Sequence, residues 1–276
     1  MMECKKALVE ANGNIDEAVV VLRKRGLAAA GKKAARVTKQ GMIAAQVDSA
    51  GRSGVLVEVN CESDFVARTD DFLDLASKIV AFVGAAPQDL IDGGGAAALM
   101  ASKLGEGTVE DLIKSKIAKL GENMSVARFG RFQTTAGVIG SYIHPGAQLG
   151  VLVDLQTSIA GAAGNAEFQE LIKDVAMQIA AADPKFLRKE DVTPEMLQKE
   201  REIQKARVIA DGKPPQVADK IVEGRMAKYY EEVCLYQQPF VKENTLSVED
   251  VIKMKIAKLG ENIGVARFGR FKVGGE

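Results

Sequence analysis

The chain has 276 residues, of which 47% are hydrophobic and 27% are charged, enough apolar material for two or three packing units. Its 37 basic residues balance 37 acidic ones, which argues against a dedicated nucleic-acid-binding protein, because such a domain is usually basic. Three widely separated cysteines and one histidine indicate no disulfide framework, zinc site or histidine-based catalysis. The sequence contains no run of about 18 apolar residues, the length that would predict a membrane span.

Residues 1–31 are predicted to form two short helices separated by an Asn-Gly-Asn turn, the second of them ending at Gly26. Two short helices cannot enclose a core, so a third helix or a partner is expected. Residues 32–41, rich in Ala and Lys, are predicted to be a basic linker. The stretch 26–33 imitates the GxxxxGK spacing of a phosphate loop, but it lacks the Ser/Thr and the preceding strand, so we reject an NTPase function.

The stretch VNCESDFV at residues 59–66 follows a predicted strand and precedes a predicted amphipathic helix that reaches about Gly84. Ser63 and Asp64 are suited to cap the free N–H groups of a helix at this junction. Phe65 lies between the cap and the apolar stripe. It is either a staple folded back on its own domain, which local chemistry alone favours, or an anchor for another protein.

A long internal repeat organises the rest of the chain. Residues 109–132 and 248–271 are identical at 20 of 24 positions, and the strand sequence at 54–60 has an echo at 150–156. Each half therefore repeats a strand–strand–helix and helix–strand unit, which predicts a duplicated α+β core of two small antiparallel sheets. Only the first half carries the NCESDFV sequence; the second has a plain turn there. This asymmetry favours an anchor role for Phe65.

The motif RFGRF ends both repeats, at 128–132 and 267–271. Arginines between phenylalanines could bind nucleic acid by stacking and charge. In a strand, however, Arg and Phe point to opposite faces, and this favours buried phenylalanines with a solvated arginine edge. Further along, residues 194–230 form two amphipathic helices around a Gly/Pro turn, which predicts a projecting antiparallel hairpin.

Several short motifs occur in the order found in elongation factor Ts, the nucleotide-exchange factor for the translational GTPase elongation factor Tu. They are CKKAL, VNCESDFV, IAKLGEN, SYIH, VEGRM, QPFV and RFKVG. Ser63 stands where the family usually has Thr, and this keeps the hydroxyl group. Each motif is weak alone, but together they are specific, and the chain resembles this family over nearly its whole length.

The resemblance implies an α+β fold with a truncated ubiquitin-associated-like helical N-terminus at 1–31, lacking its first helix. The linker at 32–41 then leads into a core N-terminal subdomain at 42–138. A core C-terminal subdomain follows at 139–276, with the hairpin at 194–230 inserted as a coiled coil. In the family the paired methionines lie inside the N-terminal domain, so Met1 is expected to be internal to a longer natural chain.

The function implied by the resemblance is guanine nucleotide exchange on elongation factor Tu, by binding alone, without covalent chemistry or a cofactor. By family analogy, Asp64 and Phe65 wedge between helices of the GTP-binding domain and disturb its magnesium site. His144, in the turn of a predicted hairpin, matches a histidine that faces the GTPase. The implied partner-binding residues are Ser63, Asp64, Phe65, Val66, Leu120, Gly121, His144, Lys5 and Val241.

The alternative function is a translation-associated RNA- or ribosome-binding scaffold on the same fold, whose salt-sensitive RNA binding would be lost on substitution of Arg128 or Arg267. An enzyme is excluded because no catalytic triad, acid pair or metal cluster is visible. The family's hairpin dimerises in some members and touches the partner in others, and both roles stay open here. The sequence of residues 23–41 resembles that of cyanobacterial and plastid members of the family. The plastid stroma is therefore expected as the location, with a bacterial cytoplasm as the alternative.

Overall fold

The computed structural model describes residues 2–158, 161–212 and 214–275. The prediction on Met1, and part of the plain turn predicted after the second-half strand, concern residues outside these ranges. Helices combine with small antiparallel sheets, so the α+β class predicted from the sequence is confirmed. Among the helices in the described ranges, none is long and apolar enough to cross a membrane.

The N-terminus forms two helices, α1 (Met2–Glu10) and α2 (Ile15–Lys33). The predicted helix end at Gly26 is wrong, because α2 continues through this glycine into the predicted linker. A Cβ at position 26 would lie 2.8 Å from the Cβ of Ala118, an exposed residue of the helix Val109–Leu120, so the glycine permits close helix packing rather than ending a helix. The stretch that imitates a phosphate loop is thus helical.

The interior between α1 and α2 is small. Among the side chains that the structure describes in this pair, the buried cluster consists of three alanines, Ala7, Ala11 and Ala18. Several large apolar side chains of the pair remain exposed: Met2, Val9, Ile15, Val19 and Val20. This agrees with the expectation that two short helices cannot enclose a core by themselves.

The first half of the core contains a three-stranded antiparallel sheet in the order β1-β2-β5, with helices on one face. Its elements are β1 (Gln40–Val47), β2 (Ser53–Cys61), α3 (Asp64–Ala67), α4 (Asp70–Ala85), α5 (Gly95–Ala101), β3 (Lys103–Leu104), β4 (Gly107–Thr108), α6 (Val109–Leu120) and β5 (Met124–Gln133). The single helix predicted after β2 is in fact two, because Thr69 accepts the N–H of Phe72 and caps α4 separately.

The second half repeats this arrangement with a sheet in the order β6-β7-β10. Its elements are β6 (Val138–Ile143), β7 (Leu149–Thr157), α7 (Ala166–Ala182), α8 (Pro194–Ala210), α9 (Pro215–Val233), β8 (Pro239–Phe240), β9 (Glu243–Ser247), α10 (Val248–Leu259) and β10 (Ile263–Lys272). Helices α6 and α10 begin with the same capping box, formed by Thr108 with Asp111 and by Ser247 with Asp250, and both end at a left-handed glycine.

The duplication extends to the first strand of each sheet, beyond the identity visible in the sequence. Gly41 and Gly137 have φ values of 151° and 152°. A Cβ at either position would lie 2.2 Å from a carbonyl oxygen of the central strand, that of Val59 or that of Leu155. Only glycine fits so close to the neighbouring backbone, so both glycines keep the first strand paired at this point.

The two sheets pack against each other through the face opposite their helices. Ile43, Leu56, Ile139 and Leu152 are buried between them. Close approach depends on one glycine from each central strand. A Cβ on Gly54 would lie 2.5 Å from Ile139, and one on Gly150 would lie 2.5 Å from Ile43. The small residue that begins each GVLV sequence thus makes room for the other half.

The same interface contains one arginine of each RFGRF motif. The predicted solvated arginine edge is wrong for Arg128, whose side chain is 25% exposed, whereas the side chain of Arg267 is 47% exposed, as predicted. Arg128 binds the buried Glu58 at 2.8 Å, and its guanidinium lies 4.7 Å from the ring centre of Phe271 in the other half. Arg267 binds the buried Asp154 at 3.2 Å and stacks on Phe132 at 4.6 Å. Each arginine therefore joins its own central strand to the opposite half.

The remaining arginine of each motif caps the C-terminus of a helix. Arg131, 9% exposed, donates from one terminal nitrogen to three carbonyl oxygens at the end of α4. Arg270 donates to the carbonyl of Ala180 in the last turn of α7 and pairs with Asp183. A guanidinium offers several donors in one plane, which suits it to the free carbonyls of a helix C-terminus. Strand alternation gave no indication of this use.

Two matched ion clusters link the helices of each half. Lys116 on α6 lies between two aspartates of α4, 2.9 Å from Asp71 and 3.0 Å from Asp74. Lys255 on α10 is the equivalent residue of the repeat and lies between two glutamates of α7, 2.6 Å from Glu167 and 2.7 Å from Glu170. Each lysine is largely covered, so these contacts hold α6 to α4 and α10 to α7.

The second cluster predicts a pH dependence of stability. Hydrogen bonds from Lys255 and Lys258 lower the pKa of Glu167 from its usual 4.5 to about 2. A lowered folded-state pKa stabilises the fold above pH 4.5, and this contribution is lost as the pH falls from 4.5 towards 2. We expect Glu167→Gln to lower the free energy of unfolding at neutral pH, with a difference from wild type that shrinks through this window.

Urea unfolding at a series of pH values measures this difference. Glu110→Gln, which removes the exposed pair with Lys114 inside α6, is the control and should differ little from wild type at any pH. A Glu167→Gln curve that stays parallel to that of wild type down to the lowest pH would contradict the prediction.

Helices α8 and α9 form a hairpin that leaves the core. Its interior is a short apolar stripe of Val208, Ala218, Val222 and Met226. Ion pairs cross between the helices, from Arg225 to Asp211 at 2.9 Å and from Arg201 to Glu223. The hairpin helices continue to Val233, three residues beyond the predicted end at 230.

Candidate functional site

The predicted anchor stretch forms the one-turn helix α3 at the end of β2. The side chain of Ser63 accepts the N–H of Val66 at 3.3 Å and caps this turn, as the sequence predicts. Val66 packs against the core, whereas Phe65 is 81% exposed. The staple interpretation therefore does not fit, because the aromatic ring is not folded back on its own domain. Asp64 pairs with Arg68 at 3.1 Å on the surface.

Two carboxylates tie this turn to the loop between α6 and β5. Glu122 accepts two hydrogen bonds from Ser63, from its backbone N–H at 2.9 Å and from its hydroxyl at 2.6 Å. In return, Glu62 accepts the backbone N–H of Asn123 at 2.6 Å. The side chain of Asn123 donates to the carbonyl of Arg36, so the segment after α2 joins the same network. The residues just before Phe65 are therefore attached to the loop after α6 by three hydrogen bonds.

Cys61, the last residue of β2, is hydrogen-bonded to the start of this turn. Its thiol donates to the carbonyl oxygen of Ser63 at 3.1 Å. Burial, with a further contribution from the negative charge of Glu122, raises the pKa of this thiol to about 12. The thiol therefore stays protonated and can serve as a hydrogen-bond donor, and it is a poor nucleophile at physiological pH.

An open groove of about 810 Å³ lies between α3 and the turn that joins β6 to β7. It is lined on one side by Asp64, Ala67 and Arg68 and on the other by Gly146, Ala147 and Gln148. The turn is bonded to β1, since Ala147 accepts the N–H of Ile43 at 2.7 Å. His144 is exposed at the start of this turn and contacts the hydroxyl of Tyr142 at 3.1 Å. The structure thus places the His144 turn beside α3.

Leu120 and Gly121 end α6, directly before Glu122. Gly121 has a φ of 84° and terminates the helix in the left-handed conformation. Its carbonyl accepts the ammonium of Lys33 at 2.6 Å, so the end of α2 is attached at the same place. These residues therefore directly precede the glutamate that binds Ser63 at the start of α3.

The other two predicted residues lie on separate elements. Lys5 is exposed on α1, beside a shallow apolar concavity that includes Leu8 and Val9. Val241 lies between β8 and β9, is 48% exposed, and donates its N–H to the side chain of Gln178 at 2.8 Å. Neither of them lines the groove beside α3.

Sequence reasoning missed Glu62, Glu122 and Asn123, which hold the turn although they do not form its tip. The signal was available for Glu122, because the repeat preserves the sequence Leu-Gly-Glu-Asn in both copies. A glycine followed by Glu-Asn is typical of a helix end, and that pattern does not indicate what the carboxylate binds. Among the described residues, no group of three His, Cys, Asp or Glu side chains is placed to hold a metal ion.

Comparison with known proteins supplies the family. The family model described as Elongation factor TS matches residues 62–275. A relative named elongation factor Ts, from Clostridium perfringens (strain SM101 / Type A), is 43% identical over 275 residues, which cover 99% of this chain and 88% of the relative. The chain belongs to the elongation factor Ts family. The resemblance inferred from the motifs is confirmed.

Two further relatives with the name elongation factor Ts agree. The one from Solibacter usitatus is 44% identical over 274 residues, covering 99% of this chain and 84% of the relative. The one from Aquifex aeolicus is 41% identical over 278 residues, covering 100% of this chain and 93% of the relative. Membership of the elongation factor Ts family supports a role in translation elongation. These relatives are bacterial, so they give no support to the predicted plastid location and agree with the alternative, a bacterial cytoplasm.

Proposed function

We propose that this protein is a guanine nucleotide exchange factor that binds elongation factor Tu and promotes release of GDP. Family membership supports the proposal, and one structural observation carries it to particular residues: Phe65 is 81% exposed on a turn that two carboxylates tether to the loop after α6. A large aromatic side chain on a rigid support loses little freedom on binding, which is what a protein–protein anchor requires.

The mechanism needs no covalent step. A GTPase holds GDP through backbone N–H groups around the phosphates and through Mg²⁺. A protein that binds the nucleotide-free state more tightly than the GDP state weakens GDP binding by the same factor. Phe65 and Asp64 would wedge between helices of the GTP-binding domain and disturb the magnesium site. By family analogy, Leu120, Gly121 and His144 would contact the same domain; Gly121 precedes Glu122, which binds the turn of Phe65, and His144 begins the turn across the groove from α3.

The remaining contacts are proposed on family analogy. Lys5 on α1 would touch the GTPase from the helical N-terminus. Val241 and the hairpin of α8 and α9 would hold its other domains. One surface of the hairpin cannot bind two partners at once, so we expect self-association through the hairpin to compete with partner binding. Light scattering with and without elongation factor Tu measures this.

The direct test follows release of a fluorescent GDP analogue from elongation factor Tu. Addition of this chain at a fraction of the GTPase concentration, with excess unlabelled GDP, should accelerate release and sustain many turnovers. An unchanged release rate with a folded chain would overturn the proposal. The bacterial relatives favour the bacterial cytoplasm over the plastid stroma as the place of action.

The RNA- or ribosome-binding alternative finds no supporting contact. Its predicted arginines, Arg128 and Arg267, pair with Glu58 and Asp154 and stack on phenylalanines of the opposite half. Each of these guanidinium groups already has a carboxylate partner, so binding of a phosphate would have to displace that carboxylate. We therefore propose the exchange function alone.

A further inference from the structure

We infer that Glu122 is a positioning residue for exchange: its carboxylate holds the turn of Phe65 in the orientation that the wedge requires. The inference rests on the proposed exchange function and adds to it a residue outside the predicted partner-binding set. Glu122 follows Gly121 in the loop after α6, 59 positions from the residue that it binds.

The geometry shows how Glu122 acts on the turn. Each carboxylate oxygen accepts one hydrogen from Ser63, the N–H at 2.9 Å and the hydroxyl at 2.6 Å. Because the hydroxyl proton points to Glu122, the lone pairs of the oxygen are turned towards the N–H of Val66, which it accepts at 3.3 Å. The carboxylate therefore sets the rotamer of the cap as well as the position of the backbone.

A helix of four residues cannot maintain itself, since nucleation is unfavourable and only a few hydrogen bonds form. The ring of Phe65 contributes little to holding α3, because it is 81% exposed. Beside the packing of Val66 and Ala67 on the core, the turn is held by its tethers to the loop after α6, which run from Glu122 to Ser63 and from Glu62 to Asn123. Hydrogen bonds to an ionised carboxylate are about twice as strong as neutral ones.

The repeat separates this role from general stability. Glu261 is the counterpart of Glu122 in the second half, and it accepts the hydroxyl of Ser158, after β7, at 2.5 Å. Both halves therefore use the same glutamate to tie the loop before the last strand to the chain after the central strand. Only the first half places an exposed phenylalanine on the tied segment. Loss of Glu261 removes a single exposed hydrogen bond of the same kind without touching the wedge.

The experiment compares Glu122→Ala, Glu122→Gln and Glu261→Ala in the GDP-release assay, as a function of exchange-factor concentration. We expect Glu122→Ala to lower the release rate about tenfold, because a shift of about 1 Å in a positioned group is enough for a loss of this order or more. Glu122→Gln should stay within about twofold of wild type, since an amide can still accept the N–H and donate to the hydroxyl oxygen. Glu261→Ala should match wild type.

A second measurement reads the turn itself. Backbone order parameters from ¹⁵N relaxation at Asp64, Phe65 and Val66 should be close to about 0.85 in wild type and Glu261→Ala, and below about 0.6 in Glu122→Ala. If Glu122→Ala does not fold, Ser63→Ala breaks the same contact from the other side and should show the same loss of order and rate. A Glu122→Ala variant that releases GDP at the wild-type rate and keeps the wild-type order parameters would overturn the inference. Absence of exchange in wild type would instead overturn the proposed function.

Discussion

Replacing Phe65 with alanine is expected to reduce GDP release from elongation factor Tu by about 100-fold and to leave the protein fully folded. Buried aromatic anchors at protein interfaces contribute about 2–4 kcal/mol, and 2.7 kcal/mol corresponds to about a factor of 100. In the free protein the side chain is 81% exposed, so its removal should change the free energy of unfolding by no more than about 0.5 kcal/mol.

The matched control is Met254→Ala. Met254 is 60% exposed on α10, which repeats α6, so this substitution removes a large exposed apolar side chain from the other half of the molecule. We expect wild-type exchange from it. A clear fall in melting temperature for Phe65→Ala would support the staple instead, and a folded Phe65→Ala with full exchange activity would remove the anchor role.

Replacing Arg131 with methionine is expected to destabilise the fold by about 2–4 kcal/mol. The side chain is 9% exposed and donates to the carbonyls at the end of α4, those of Val83 at 3.2 Å, Gly84 at 3.0 Å and Ala86 at 2.6 Å. Methionine fills most of the space but donates no hydrogen bond, so these carbonyls would lose their charged donor in a buried setting. The positive charge at a helix C-terminus would also be lost.

Urea unfolding measures the free energy lost in Arg131→Met, and two further variants are compared in the same experiment. Arg270→Met removes the equivalent arginine of the second half, whose side chain is 18% exposed and caps α7 through Ala180, and we expect a smaller loss. Lys253, whose side chain is 64% exposed, pairs with Glu249 within α10. Lys253→Met removes this pair and should change the free energy of unfolding by less than about 0.5 kcal/mol. Equal stability of all three variants would show that Arg131 is not a structural cap.

Much of the fold could be predicted because local signals and the repeat agreed. Helix α6 begins at Val109 and ends before Gly121, as its apolar spacing and its glycine indicated. The identity of the two repeats then predicted α10 and a second sheet. The exposed tip was visible from a difference between copies, because Phe65 had no counterpart in the second half.

The predictions that were wrong concern contacts between segments distant in the sequence. Gly26 reads as a helix end by propensity, but its packing on Ala118 decides its role. Arg128 reads as solvated by strand alternation, yet a buried carboxylate and an aromatic ring of the other half surround it. The sequence around Glu122 does not indicate that its carboxylate binds Ser63, and only the structure shows this contact. Periodicity reports which face a residue occupies and is silent about what meets that face.

The crossed arginine–phenylalanine pairs have a consequence for how the protein arose. A single half carries both members of the pair, the arginine and the phenylalanine, together with the glycine that lets a neighbour approach. Two identical halves would satisfy one another by the self-complementary rule of a two-fold symmetric dimer. Fusion of two such genes would leave this interface intact and free each copy to diverge. One copy could then acquire a protruding aromatic, while the other supplied an unchanged platform.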